Sequence, residues 1–133
     1  MSGEKKILVV EDDDETRELL RMALARRGYA VFTAEDGVAG FEEVIRQRPD
    51  LIVTDISMPA ADGAHLVRRV RDTPEVAETP ILITTGFGTG NATFTLSQGA
   101  NAYEPKPINP DSFMATVERL IGKDERGARS NDE

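Results

Sequence analysis

The chain has 133 residues, 39% hydrophobic and 30% charged, and a net charge of −8, the profile of one soluble globular domain large enough to bury a core. The acidic balance excludes nucleic-acid binding through a basic surface, and the absence of cysteine excludes disulfides, thiolate metal sites and cysteine nucleophiles. The polar stretch Met1 to Lys6 leads into an apolar run of only four residues, too short for a signal-peptide core or a membrane span. No membrane partner and a cytoplasmic location are therefore expected.

Ile7-Leu8-Val9-Val10 is continuous, compact and rich in β-branched residues, which suits a strand buried on both faces. Leu20, Ala23 and Leu24 then fall at helical spacing, and Gly28 stands where a helix would end. Tyr29 to Phe32 reads as a second, weaker strand, and Phe41, Val44 and Ile45 repeat on one helical face. Leu51-Ile52-Val53 forms a third strand ended by Asp55; Gly63, Leu66, Val67 and Val70 give the next helical stripe. Ile81-Leu82-Ile83 is the fourth strand and Ala102-Tyr103 the fifth. Asn109-Pro110 reads as an N-cap followed by proline at the first helical position, with Phe113, Val117, Leu120 and Ile121 as that helix's apolar face. Between the last two strands, residues 86–98 carry Gly86, Gly88, Gly90 and several threonines, which predicts a short, late-starting or mobile helix. One domain is expected over residues 1–122, and 123–133, without apolar periodicity, is expected to be a disordered tail.

Alternating strands and helices predict a parallel sheet covered on both faces, with any ligand beyond the carboxyl ends of its strands. The residues at those ends are Glu11 and Asp12, Asp55, Thr85 and Lys106. Crowded carboxylates repel one another, and a bound cation is the usual relief. Oxygen donors without histidine or cysteine favour Mg²⁺ over zinc or copper. An aspartate can serve as a nucleophile toward phosphorus, and phosphoryl transfer needs stabilisation of charge on three equatorial oxygens, which a metal, a lysine and a threonine hydroxyl can supply.

From Lys5 to Ile121 the sequence resembles the receiver domain of two-component response regulators. The resemblance is carried by Ile7 to Asp12, Asp50 to Pro59 with Asp62-Gly63, Pro80 to Thr85, and Lys106-Pro107, in that order and at those spacings. It implies a flavodoxin-like (βα)5 fold with strand order 2-1-3-4-5. It also implies Asp55 as phosphoacceptor; Glu11 and Asp12 as the acid pair for Mg²⁺, completed by Asp55 and the Ser57 carbonyl; Thr85 and Lys106 as phosphoryl contacts; and Thr85 and Tyr103 as switch residues. A cis Lys106-Pro107 bond is usual in the family. The implied activity is that of a signalling phosphoacceptor rather than an enzyme acting on other substrates. Its donor would be a sensor histidine kinase or a histidine phosphotransfer protein, and its output contact with an unknown downstream protein.

Plainer readings stand beside these. Asp13, Asp14 and Glu15 suit a solvated helix N-terminus, with Asp13 the alternative to Asp12, and Tyr103 suits plain core as well as a switch. His65 lies off its helix's apolar stripe and has no assigned role; Met22, Met58 and Met114 read as packing residues. Gly86 to Gly90 departs from the usual family pattern, and Phe87 is placed to cover a phosphoryl pocket. The competing functions are a phosphorylation-independent interaction module and a Mg²⁺-dependent hydrolase. Retention of every site residue counts against the first. Ile56 and Ser57 after Asp55, without the second aspartate of haloacid dehalogenase-like phosphatases, count against the second. Flavin binding is disfavoured because acids, not a Gly/Ser/Thr-rich loop, follow the first strand.

Overall fold

The structure, a computed structural model, describes residues 4–56, 62–86, 96 and 99–130, of which 62, 63 and 123–130 are described as backbone. Five parallel strands, β1 (Lys6–Val10), β2 (Ala30–Ala34), β3 (Leu51–Asp55), β4 (Ile81–Thr85) and β5 (Ala102–Pro105), lie in the order β2-β1-β3-β4-β5. Among the described residues the helices are α1 (Asp14–Arg26), α2 (Gly37–Gln47), α3 (Asp62–Arg71) and α4 (Pro110–Ser130), with one 3₁₀ turn at Pro74–Val76. This is the doubly wound arrangement and strand order expected.

The central strands β1, β3 and β4 are buried on both faces, which is why their sequences are unbroken apolar runs rather than alternating ones. Strand alternation sends Ile7, Val9, Leu51, Val53 and Leu82 to one face, against Leu20 and Leu24 of α1 and Phe113, Val117 and Leu120 of α4. Leu8, Val10, Ile52, Ile81 and Ile83 face the other way, against Val44 of α2 and Leu66, Val67 and Val70 of α3. β2 is an edge strand, only half-buried, and runs two residues past the predicted Phe32, because an edge gives a weaker apolar signal. Ile45 and Met22 are more exposed than the apolar pattern predicts, at 39% and 41%, and His65 is exposed as expected.

Local chemistry sets the helix ends. Asp13 caps α1, its carboxylate accepting from the Thr16 N–H at 2.9 Å, and Gly28 leaves the helix at φ +94°, a conformation that costs glycine little. Asn109 accepts from the Ser112 N–H at 3.0 Å to open α4, as the sequence predicts. α4 remains helical to Ser130, whereas the end of apolar periodicity predicts a disordered segment from Lys123. The two differ because apolar periodicity reports packing, while Lys, Glu, Arg and Ala favour a helix without it. The predicted weak helix lies almost wholly outside the described residues, as do Ser57, Met58 and Phe87.

α2 approaches the sheet closely at Gly40, where a Cβ would stand 3.0 Å from Val10 Cγ2, one residue before Glu11. Gly40→Leu is therefore expected to destabilise the fold by about 1–3 kcal/mol, measured by urea denaturation, through overpacking against β1. A stability equal to wild type would show that α2 can move away from Val10 without cost.

Candidate functional site

The strand order reverses beside β1, so the crevice of this sheet opens between the carboxyl ends of β1 and β3. Glu11 and Asp12 leave β1 there, and Asp55 ends β3. Glu11 extends the ladder through its N–H to the Ala34 carbonyl at 3.0 Å, and Ile56 does the same from β3 to the Thr84 carbonyl at 3.1 Å. Backbone bonds thus fix the chain at Glu11 and immediately after Asp55. One carboxylate oxygen from each of Glu11, Asp12 and Asp55 lies within 4.8 Å of the others. Glu11 and Asp55 are buried and Asp12 is exposed, so the cluster has an open side.

Lys106 closes the buried side. Its ammonium donates to Glu11 Oε1 at 3.0 Å and to Asp55 Oδ2 at 3.1 Å, while its backbone N–H donates to the Thr85 carbonyl at 2.7 Å. The peptide bond from Lys106 to Pro107 is cis. Thr85 ends β4 and is buried, which brings it to the same rim. Tyr103 is half-buried among the α2–α3 face residues. The structure therefore gathers Glu11, Asp12 and Asp55 with Lys106, and sets Thr85 beside Lys106 through the backbone. Asp13 caps α1 and is not among the carboxylates of that cluster. The Ser57 carbonyl falls outside the described residues.

Electrostatics follow from this packing. Burial pushes the Glu11 carboxyl above its usual range, against the lowering effect of hydrogen bonds from Lys106 and the Asp13 N–H. Burial alone would push the Lys106 ammonium down, but its bonds to Glu11 and Asp55 outweigh that and hold it above the ordinary lysine value. Two of the three carboxyl groups, Glu11 and Asp55, thus pair with one ammonium, and the third, Asp12, is exposed on the open side.

Residues not singled out from the sequence complete the surroundings. Arg17, one turn into α1, donates from Nη1 to the Glu11 carbonyl at 2.8 Å and pairs with Asp14, fixing the β1–α1 turn. Its only sequence signal is a cation placed to reach back from the first turns of a helix. Thr84 and Glu104 are also buried, and a carboxylate inside an otherwise apolar strand is the signal that marks the second.

The family model described as the response regulator receiver domain matches residues 7–118. The chain belongs to that family. Response regulator MprA of Mycobacterium leprae is 38% identical over 117 residues, covering 87% of this chain and 50% of that protein. The chain thus spans about half the length of the curated relatives it matches. Among solved structures, a putative response regulator from Chloroflexus aurantiacus aligns with a TM-score of 0.84 at 32% identity, covering 90% of this chain and 98% of that one. Vibrio cholerae CheY4 aligns at 0.83 and 30%, covering 89% and 99%. The fold and the receiver family agree with the resemblance read from the sequence. No described helix is long and apolar enough to cross a membrane.

Replacing Lys106 by methionine leaves Glu11 and Asp55 buried without their cation. A carboxyl whose folded pKa lies above its unfolded value loses its contribution to stability as pH rises through the interval between the two. Lys106→Met widens that interval for Glu11. Without added metal it is expected to match wild type near about pH 4 and to fall about 1–3 kcal/mol behind by about pH 7. Urea denaturation at both pH values checks this; an equal deficit at the two would contradict it.

Proposed function

We propose that this receiver domain takes a phosphoryl group onto Asp55 from a sensor histidine kinase or a histidine phosphotransfer protein, in a Mg²⁺-dependent reaction. The observation that carries the reading is the convergence of the Glu11, Asp12 and Asp55 oxygens within 4.8 Å, with Lys106 on two of them. The donor set fits Mg²⁺: it consists of hard carboxylate oxygens, offers no nitrogen or sulfur ligand, and carries more negative charge than Lys106 offsets. Glu11, Asp12, Asp55 and the Ser57 carbonyl would hold the ion. Bound there, it supplies charge neutralisation that lets an anionic carboxylate approach an anionic phosphoryl group.

The residues divide the remaining work. An Asp55 carboxylate oxygen attacks phosphorus in line with the leaving group, forming a new P–O bond as the P–N bond to the donor imidazole breaks. The imidazole nitrogen keeps that electron pair and takes a proton from solvent. Lys106 transfers an N–H donor to a phosphoryl oxygen, and Thr85 donates its hydroxyl to another, so that charge is met from separate directions. Burial of Asp55 keeps it desolvated and fixed, while exposed Asp12 leaves the approach open. A groove of about 570 Å³ between α1 and the start of α4, lined by Leu19, Ala23, Ile108 and Met114 and ending at Lys106, offers a phosphodonor an apolar surface beside the acceptor. Output then passes by conformational change at Thr85 and Tyr103 to a downstream protein. The protein promotes its own phosphorylation and dephosphorylation only.

Incubation with acetyl phosphate, followed by intact mass, tests this directly. A Mg²⁺-dependent, hydroxylamine-labile adduct is expected in wild type and is expected to be absent in Asp55→Asn. An adduct that survives in Asp55→Asn would place the acceptor elsewhere, and no adduct in either protein would favour a phosphorylation-independent interaction module.

A further inference from the structure

Glu104 is a buried carboxylate in β5, 5% exposed, on the sheet face that packs against α1 and α4. Its Oε2 accepts from the Thr116 hydroxyl at 2.6 Å and from the Ser112 hydroxyl at 3.2 Å, both on α4. No ammonium or guanidinium of the described residues pairs with it. An acid buried on neutral hydroxyls is costly, and an apolar side chain on this sheet face would avoid that cost. Register shows where the cost falls. Asp55 pairs with Thr84 and Thr84 with Glu104, so the three occupy one cross-strand row on the same face. The Thr84 hydroxyl in the middle of that row is buried and has no hydrogen-bond partner among the described residues.

The consequence concerns the loop between β5 and α4, which is short and carries Lys106. Glu104 precedes Lys106 by two residues, and Ser112 and Thr116 lie in the first two turns of the helix that follows. The two hydrogen bonds therefore close the loop from strand to helix. Apolar packing is non-directional and leaves a helix free to slide or roll by small amounts. A hydrogen bond is directional, so a carboxylate 2.6 Å from a hydroxyl resists such movement.

We propose that Glu104, through Thr116 and Ser112, is a positioning residue that holds the Lys106 ammonium at Asp55 and Glu11. The proposal rests on the reading of Asp55 as phosphoacceptor and Lys106 as its partner. If Glu104 acts through Lys106, its removal matters only while Lys106 is present. Glu104→Leu and Thr116→Val are each expected to slow phosphorylation by acetyl phosphate with Mg²⁺ by about 3- to 30-fold in the native background and by less than about 2-fold in Lys106→Ala. Thr116→Ser, which keeps the hydroxyl, is expected to restore the rate. NMR order parameters of the Lys106 ε-methylene, measured without any phosphodonor, are expected to fall toward those of exposed lysines in Glu104→Leu and Thr116→Val and to recover in Thr116→Ser. Equal slowing in both backgrounds, or an unchanged Lys106 order parameter in Thr116→Val, would overturn the proposal. If wild type takes no phosphoryl group at all, the phosphoacceptor reading fails, and the order parameters alone decide whether Glu104 positions Lys106.

Discussion

Two buried carboxylates at neighbouring strand ends repel each other, and in this protein one ammonium joins them. Lys106 lies 3.0 Å from Glu11 and 3.1 Å from Asp55, and without that cation the burial of both acids would oppose the fold. The rest of the architecture makes the contact possible. β1 and β3 are adjacent and parallel, so their carboxyl ends meet; β5 lies beyond β4, so its outgoing loop must turn back across the rim to deliver Lys106. The backbone bond from Lys106 to the Thr85 carbonyl fixes where that turn begins.

The two faces of the sheet contribute differently. The face against α2 and α3 is apolar along most of its length, and close contacts such as Gly40 on Val10 hold β1 rigid just before Glu11. The face against α1 and α4 is apolar at its base and polar at its rim, where Glu11, Asp55, Thr84 and Glu104 follow one another across four strands. A rim built this way concentrates buried polar groups at one end of the sheet. The apolar layers below supply the stability that such a rim cannot.

Much of this was legible in the sequence because buried parallel strands leave a strong signal. Ile7 to Val10, Leu51 to Val53 and Ile81 to Ile83 mark three strands, and the polar residue ending each marks a rim position. Asp12 and Asp13 are harder to separate, since adjacent acids carry the same sequence signal; the cap that Asp13 forms with Thr16 is visible only in the fold. β2 gives a weaker signal because it lies at the sheet edge, and the helical backbone of α4 beyond Lys123 carries no apolar stripe in the sequence. Glu104 and Thr84 could not be paired from sequence spacing, because their neighbours come from register between strands and from a helix turn further along the chain. Arg17 was hidden for a similar reason: its partner is a backbone carbonyl, which no residue type announces.

We propose that the negative charge left over by Lys106 forms a divalent-cation site on the open side of the rim. Calorimetric titration with Mg²⁺ tests it most directly. Saturable one-to-one binding in wild type, abolished in Asp12→Asn while the fold is retained, is the expected result. No saturable binding in wild type, or binding undiminished in Asp12→Asn, would contradict the account.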